Sequence, residues 1–171
     1  MSDDAPTLLR SIEWFTEPPL ALPEHIGSWL METGSMTKRL ESYCTQLTVM
    51  LCTERFVTPY ELGDECDHLP LSEHYWLREV VLYGDKQPWL FGRTLIPRQT
   101  LDGAGSALKD IGTEPLGRYL FRYEGLTRDY IHTGCGGGLW ARRSRLRLSG
   151  SPFLLTELFL PGSPLYSTVS L

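Results

Sequence analysis

One acidic side chain lies where a strand should be entirely apolar. Residues two positions apart share a face of a β-strand, and this places Glu157 beside Phe153, Leu155 and Phe159. The surrounding segment is apolar on both faces, which is typical of a central strand covered on two sides. Removing an unpaired carboxylate from water there would be costly. We therefore expect Glu157 either to pair with an arginine or to take part in the chemistry of a functional site.

A cation stands out for the same reason. Arg78 shares its predicted strand face with Trp76, Val80 and Leu82, and it lies near the middle of that strand. If Arg78 and Glu157 face the same cavity, that cavity is apolar with a positive charge at one end and a negative charge at the other. Such a cavity suits a small, flat ligand that carries a carboxylate at one end and a hydroxyl at the other.

Arg93 is a weaker candidate of the same kind. It shares a predicted face with Trp89, Phe91 and Leu95. It can belong to the same kind of site, or its aliphatic part can cover the sheet while its guanidinium reaches water at the sheet edge. Both interpretations remain open.

The segment that contains Met36 offers a further place for an anion. Gly34 ends one predicted helix and Ser35 is expected to cap the next, so Met36 lies in a first helical turn. Backbone N–H groups there have no partner within the helix and favour an anion. The alternative is that Met36 only fills a gap in the core beneath the helix.

The elements that would position these residues indicate an α+β fold. The predicted strands, mostly linked by hairpins, are residues 47–57, 75–83, 89–96, 126–133, 139–148 and 153–160. The predicted helices are residues 7–15, 23–31, 36–42, 100–111 and 114–121. We expect a six-stranded antiparallel sheet with the helices packed on it, in a single domain over residues 1–171. A glycine-rich run at residues 134–138 precedes a strand instead of a helix, so it predicts a flexible hairpin loop rather than a phosphate-binding loop.

The composition excludes several classes of function. A net charge of −5 argues against a nucleic-acid partner, although residues 142–147 are locally basic. No apolar run approaches the roughly 20 residues needed to cross a bilayer, and the N-terminus is acidic, unlike a signal peptide. We therefore expect no membrane insertion and a cytoplasmic location. The cysteines form no CxxC pair, and Cys66 with His68 is too small a set for a metal site, so neither metal nor cofactor is expected.

Several separate segments, in the same order, carry a resemblance to a known family. They are Ser-Met-Thr-Lys-Arg at residues 35–39, Tyr-Trp-Leu-Arg-Glu at residues 75–79, Pro-Leu-Gly-Arg-Tyr-Leu-Phe at residues 115–121 and Leu-Thr-Arg-Asp at residues 126–129. With the opening stretch they extend over about residues 8–166. The chain resembles the chorismate pyruvate-lyase (chorismate lyase) family, whose members convert chorismate into 4-hydroxybenzoate and pyruvate for bacterial ubiquinone biosynthesis.

The resemblance implies a fold and a site. The family fold is a six-stranded antiparallel sheet with helices on it, and the ligand is buried beneath helical flaps. Arg78 matches the arginine that holds the ligand carboxylate, and Glu157 matches the acid that faces the ring hydroxyl. Met36 and Leu116 match two positions whose segments also line the ligand site. No cofactor is implied, and we expect a monomer.

The chain departs from the family pattern in two places. Residues 134–138 are unusually rich in glycine, and residues 167–171 are expected to extend past the usual end. Both lie away from the four site residues in the sequence.

Two roles remain open for Glu157. Chorismate is one elimination away from an aromatic ring, so the protein has to position it rather than drive it. Glu157 either removes the ring hydrogen as a general base or only orients the hydroxyl while the hydrogen transfers within the substrate. A second cation near the enolpyruvyl carboxylate is expected, and the sequence does not single one out.

Two other functions would use the same residues differently. The effector-sensing domains of some bacterial transcription regulators are similar in fold to this family, and such a domain would bind a small acid without converting it. In a structural protein, Arg78 and Glu157 would only form an internal ion pair. Conversion of chorismate, binding alone, or neither outcome distinguishes the three.

Overall fold

The computed structural model describes residues 4–167. The strands are β1 (Glu13–Phe15), β2 (Leu47–Val57), β3 (Tyr75–Gly84), β4 (Gln87–Pro97), β5 (Leu126–Gly136), β6 (Leu139–Leu148) and β7 (Ser151–Phe159). The α-helices are α1 (Ala5–Arg10), α2 (Glu24–Leu30), α3 (Met36–Glu41), α4 (Arg98–Asp102) and α5 (Leu116–Leu120). Short 3-10 helices span Pro59–Glu61, Asp64–His68, Ser106–Asp110 and Pro164–Tyr166.

All seven strands belong to one sheet, in the order β1-β5-β6-β7-β4-β3-β2. Every neighbouring pair is antiparallel, so the α+β class and the antiparallel sheet are confirmed. The strand β7 lies in the middle of this order, between β6 and β4. From Phe153 onward its residues are buried on both faces except for the partly buried Leu155, as the apolar sequence predicts.

The expected count of six strands is wrong by one. The segment predicted as a helix over residues 7–15 divides into α1, a turn and the three-residue strand β1. Glu13 pairs with Cys135 and Phe15 pairs with Thr133, which adds β1 to the edge of the sheet beside β5. Three residues are too few to show a period-two pattern, so the strand had no signal of its own.

The glycine-rich run makes this edge pairing possible. A Cβ atom at Gly136 would lie 2.5 Å from the carbonyl oxygen of Ser11, and one at Gly134 would lie 2.5 Å from Cγ2 of Ile12. Side chains at these two positions would push the N-terminal segment off the sheet. The loop expected over residues 134–138 is therefore mostly strand, and the turn into β6 comes after Gly136, where two glycines have φ values of +59° and +79°.

Helices α2 to α5 cover one face of the sheet, which we call the cavity face. Two apolar clusters hold them there. The first joins α2 and α3 to the sheet through Trp29, Leu30, Met36, Leu40, Leu82, Trp89, Leu90 and Phe159. The second joins α4, the 3-10 helix after it and α5 through Ile96, Leu101, Leu108, Leu116, Leu120, Leu146, Leu148 and Phe153. The sheet surface between the two clusters is left for the site.

Three of the four predicted helices of the cavity face are confirmed to within two residues of their bounds, and the fourth is divided. The hydroxyl of Ser35 accepts the N–H of Lys38 at 3.1 Å, which is the expected N-terminal cap of α3. The helix predicted over residues 100–111 is instead α4 followed by a 3-10 helix, and Gly103 and Gly105 lie at the break. Among the helices of the described residues, none is long and apolar enough to cross a bilayer.

Candidate active site

A cavity lies on the cavity face, between the central strands and the helices α3 and α5. Its sheet side is largely apolar and includes Val80, Leu82, Leu90, Leu146 and Leu155. The four residues singled out from the sequence, Met36, Arg78, Leu116 and Glu157, all line it. The structure therefore brings together residues that are as far apart in the chain as positions 36 and 157.

Glu157 is held by an arginine that the sequence interpretation did not single out. It lies on β7 opposite Arg142 of β6, and Nε of Arg142 donates a hydrogen bond to Oε1 of Glu157 at 2.8 Å. The two side chains are 6% and 1% exposed, so the pair is shielded from water. Of the two expectations for Glu157, pairing with an arginine is confirmed, and the acid also lines the cavity.

Arg142 connects this acid to the helical cover. Its Nη1 donates to the carbonyl oxygens of Leu30 at 3.2 Å and Glu32 at 2.7 Å, at the end of α2. On the other side of Glu157, the opposite residue on β4 is Gly92, which also lines the cavity. Because a glycine has no side chain, the space above the sheet beside Glu157 stays open.

Arg78 lies at the other end of the cavity and does not pair with Glu157. It is opposite Thr94, which is opposite Leu155, so Arg78 is two strands and two residues away from Glu157. With strand spacings of about 4.8 Å and about 3.3 Å per residue, their backbone positions are about 12 Å apart. The internal ion pair that a purely structural protein would need is therefore not formed between Arg78 and Glu157.

The guanidinium of Arg78 is buried but only partly satisfied. Its Nη2 donates to the carbonyl oxygens of Gly112 and Glu114, both at 3.1 Å, and its Nε has no partner within residues 4–167. Burial lowers the pKa of Arg78, and the nearby carboxylate of Glu54 opposes this change. A buried N–H without an acceptor is costly, so this end of the cavity favours an anionic ligand group.

A third arginine, Arg128 of β5, also lines the cavity. It lies opposite Leu146, and its Nη1 donates to the carbonyl oxygen of Glu32 at 3.1 Å. Its Nε is buried and has no partner among the described residues. Burial and the neighbouring positive charge of Arg142 lower the pKa of Arg128. The described lining thus contains three arginines and one carboxylate.

The helices α3 and α5 approach each other closely above the cavity. Met36 and Leu116, the first residues of these helices, are 5% and 9% exposed and face it. A Cβ atom at Gly117 would lie 2.6 Å from Oγ1 of Thr37, so the contact between the helices has no room for a side chain at Gly117. The interpretation of Met36 as a core residue is correct as far as its burial, and it lines the cavity as well.

Arg93 does not belong to this cavity. It projects from the opposite face of the sheet, where its Nη1 bonds Glu79 at 2.9 Å and its Nε bonds Glu65 at 2.8 Å. The residues that flank it in β4 explain the difference from the sequence interpretation, because Phe91 and Leu95 also face that side. Arg93 is thus paired with carboxylates within the fold and does not extend alone to water.

Two site residues were missed in the sequence, and for different reasons. Period two places Arg142 with Trp140, Leu146 and Leu148 on the apolar face of its strand, so the signal that singled out Arg78 was present for Arg142 too. Arg128 had a weaker signal, since a bulge between Arg128 and Tyr130 breaks the alternation of β5 immediately after it.

The residues of the cavity do not include a metal site. Within residues 4–167, no group of three or more His, Cys, Asp or Glu side chains is arranged to hold a metal ion. The cavity offers guanidinium groups, one carboxylate and apolar side chains, which together suit an organic anion.

Comparison with known proteins agrees with this geometry. The family model described as chorismate lyase matches residues 8–171. A protein of Pectobacterium atrosepticum named chorismate pyruvate-lyase is 72% identical over 98% of this chain and 95% of its own length. One of Serratia proteamaculans with the same name is 57% identical over 99% of this chain and 98% of its own. The match includes the tail that was expected to extend past the family, although residues 168–171 lie outside the described residues.

A solved structure with little sequence identity shares the fold of this chain. The effector domain of PhnF from Mycobacterium smegmatis superimposes with a TM-score of 0.53 at 13% identity, over 77% of this chain and 91% of that one. This likeness shows a shared fold and nothing about ligand or activity. The assignment to a family rests on the family model and on the relatives at 57–72% identity. On these grounds, the chain belongs to the chorismate lyase family.

Proposed function

We propose that this cavity binds chorismate and that the protein eliminates pyruvate from it, leaving 4-hydroxybenzoate for ubiquinone biosynthesis. The single observation that carries the proposal is the placement of Arg78 and Glu157 at two ends of one largely apolar cavity. Family membership supplies the reaction class, because the relatives are named chorismate pyruvate-lyases. The protein is accordingly a lyase.

Arg78 would bind the ring carboxylate. Its Nε has no acceptor among the described residues and can donate a charge-assisted hydrogen bond to a carboxylate, whereas Nη2 is already bound to the carbonyl oxygens of Gly112 and Glu114. The apolar side chains of Met36 and Leu116 would pack against the ring and exclude water. Exclusion of water strengthens the interaction between Arg78 and the ligand.

Glu157 would accept a hydrogen bond from the ring hydroxyl at the other end. Arg142 fixes one oxygen of the carboxylate at 2.8 Å, so the orientation of the acid is set before the ligand enters. Gly92 leaves space for the ring next to the carboxylate of Glu157. The ligand would therefore lie along the sheet between β7 and β3.

The reaction needs no other reactant. The bond between the ring and the enolpyruvyl oxygen breaks, and the ring carbon that carries the hydroxyl loses its hydrogen. The ring becomes aromatic, and the leaving group gains a hydrogen to become pyruvate. The task of the protein is to hold chorismate in the reactive conformation and to stabilise the charge that develops on the departing oxygen.

We favour an orienting role for Glu157 over a general base. Aromatisation supplies the driving force, and Arg142 holds one carboxylate oxygen in a fixed position. In that case the hydrogen passes from the ring to the leaving enolpyruvyl group within the substrate. In the alternative, Glu157 receives the proton and returns it to the product.

We also propose that the segments carrying α3 and α5 are flaps that open for the ligand. The cavity has a volume of about 50 Å³, whereas sites for small ligands usually measure about 300–1,000 Å³. Helices of five and six residues are short, so they can separate at low cost compared with the sheet beneath them. Motion of these helices would open the cavity while the strands that carry Arg78 and Glu157 stay in place. Movement of α5 would loosen the hydrogen bonds from Arg78 to the carbonyl oxygens of Gly112 and Glu114, just before that helix.

An assay with chorismate tests the proposed function. Incubation should release 4-hydroxybenzoate and pyruvate in equal amounts, and EDTA should leave the rate unchanged. Binding of chorismate without product would indicate a sensor, and absence of both binding and product would indicate a structural role.

Replacement of Arg78 tests the carboxylate end. Arg78→Ala should weaken binding of 4-hydroxybenzoate by about a hundredfold or more, because losing one partner of a buried charge pair costs on the order of 2–5 kcal/mol. Arg78→Lys should restore only part of the affinity, since an ammonium group lacks the planar set of N–H donors of a guanidinium. The measurement is titration calorimetry, and Arg98→Ala, which changes a half-exposed arginine on α4, is the control. An unchanged affinity in Arg78→Ala would place the carboxylate elsewhere.

Replacement of Glu157 separates the two mechanisms. Glu157→Gln keeps the shape of the side chain but removes its charge and basicity. If Glu157 orients the hydroxyl, kcat should fall by about tenfold and product affinity should fall with it; a general base would lose about 10²–10⁴-fold in kcat. Steady-state kinetics and product titration give both quantities, with folding checked by thermal melting. A fall in kcat of about 10²–10⁴-fold with unchanged product affinity would contradict the orienting role.

A side chain at Gly117 tests the flap proposal. Gly117→Ala places a methyl group 2.6 Å from Oγ1 of Thr37, and overpacking of this kind costs about 1–3 kcal/mol. If the strain falls only on the closed state, 4-hydroxybenzoate should dissociate about tenfold faster in a stopped-flow measurement. The double variant Thr37→Ala/Gly117→Ala should recover most of the loss. Equal dissociation rates in the wild type and Gly117→Ala would show that this contact does not control access.

A further inference from the structure

The cavity contains more positive charge than the proposed contacts of 4-hydroxybenzoate require. Among its described lining residues, three arginines face a single carboxylate, so two positive charges are left over. One of these, on Arg78, would be matched by the ring carboxylate. The other is shared by Arg128 and Arg142, whose only anionic partner in the cavity lining is Glu157, while the carboxylate of Glu32 acts on Arg128 from outside that lining. Buried charge of this kind is normally paired.

The surplus charge lies at the Glu157 end. Arg142 bonds Glu157 directly at 2.8 Å. Arg128 is close enough for the charges of Arg142 and Glu157 to act on it, and both arginines donate to the same carbonyl oxygen of Glu32, at 3.1 Å and 2.7 Å. Two guanidinium groups therefore converge beside the acid, and Nε of Arg128 is buried there without an acceptor.

The structure of chorismate determines which group would meet this charge. Its enolpyruvyl ether is attached to the ring carbon next to the one that carries the hydroxyl, and its ring carboxylate is at the far end. With the carboxylate at Arg78 and the hydroxyl at Glu157, the enolpyruvyl group and its own carboxylate must lie beside Glu157. That is the location of Arg128 and Arg142.

We propose that Arg128 and Arg142 form a second carboxylate subsite that binds the enolpyruvyl carboxylate of the substrate and is not used by the aromatic product. This inference rests on the proposed function and assigns the substrate-specific half of the same site. Arg128 is the more informative residue of the two, because Arg142 also holds Glu157. As the ether bond breaks, negative charge grows on the departing group, and the two guanidinium groups stabilise it where it forms.

A pair of stable aromatic probes tests the subsite without turnover. 3-(Carboxymethoxy)-4-hydroxybenzoate carries a second carboxylate next to the hydroxyl, and 3-ethoxy-4-hydroxybenzoate has a methyl group in its place. Titration calorimetry should show that the wild type prefers the dicarboxylate. In Arg128→Met this preference should fall by about a hundredfold, because one partner of a buried charge pair is lost. The affinity for the ethoxy probe should change by less than about threefold.

Three variants serve as comparisons. Arg128→Lys keeps the charge and should retain part of the preference, which also covers the case in which Arg128→Met does not fold. Arg78→Ala should weaken both probes alike, because both carry the ring carboxylate. Arg98→Met removes a half-exposed arginine that does not line the cavity, and the affinity for both probes should stay unchanged.

The outcomes separate this subsite from the proposed function. A wild type that shows no preference for the dicarboxylate, or an Arg128→Met variant that weakens both probes equally, would overturn the subsite even if chorismate is converted. A failure to convert chorismate would instead overturn the proposed function, and the preference of the wild type between the probes would still report on Arg128. With conversion intact, Arg128→Met should lower kcat/KM for chorismate by about a hundredfold while the Kd for 4-hydroxybenzoate stays within about threefold.

Discussion

The buried ion pair between Arg142 and Glu157 is the interaction on which the arrangement of the site depends. Taking both charges out of water costs several kcal/mol for each ion, and their attraction often does no more than offset that cost. Such a pair is therefore poor evidence for stability and better evidence for position. Here it fixes an acid at the centre of the sheet, and through the carbonyls of Leu30 and Glu32 it also fixes the end of α2 above the acid.

The sheet carries charged networks on both faces. On the face opposite the cavity, Arg93 bonds two carboxylates, Glu65 and Glu79, while Arg143 bonds Asp64 and keeps its buried Nε without an acceptor among the described residues. On the cavity face, Arg78 and Arg128 also each have a buried Nε without an acceptor in the described part of the chain. An unpaired buried donor alone therefore does not identify a ligand site. On the cavity face the arginines converge on one largely apolar cavity with a single carboxylate, and this combination favours an anionic ligand.

The alternation of side chains between the two faces of each strand predicted much of the fold and two of the four charged residues of the cavity. Arg78 and Glu157 were recognisable because a charge interrupted an apolar face, and the order of strands and helices was sufficient for the class of fold. The failures have physical causes. The short strand β1 is defined by its partner β5 and not by its own residues. The face that Arg93 shares with Phe91 and Leu95 is confirmed, but alternation within one strand does not say which side of the sheet that face covers. The partners of a buried charge depend on which strands become adjacent, and adjacency is a property of the whole chain. The single domain over residues 1–171 and the monomer stay predictions.

The tight turn between β6 and β7 has a consequence far from its own position. Arg142 and Glu157 face each other because Ser149 and Gly150 join the strands with two residues, both at positive φ. Each additional residue absorbed into one strand would shift the pairing by one position and present Thr156 to the cavity instead of Glu157. The turn is exposed and about 23 Å along the strand from the acid, yet its length acts as a spacer that sets which chemical groups meet. Insertions that most surface loops tolerate should therefore be rare at this turn in active members of the family, even though Ser149 and Gly150 do not line the cavity.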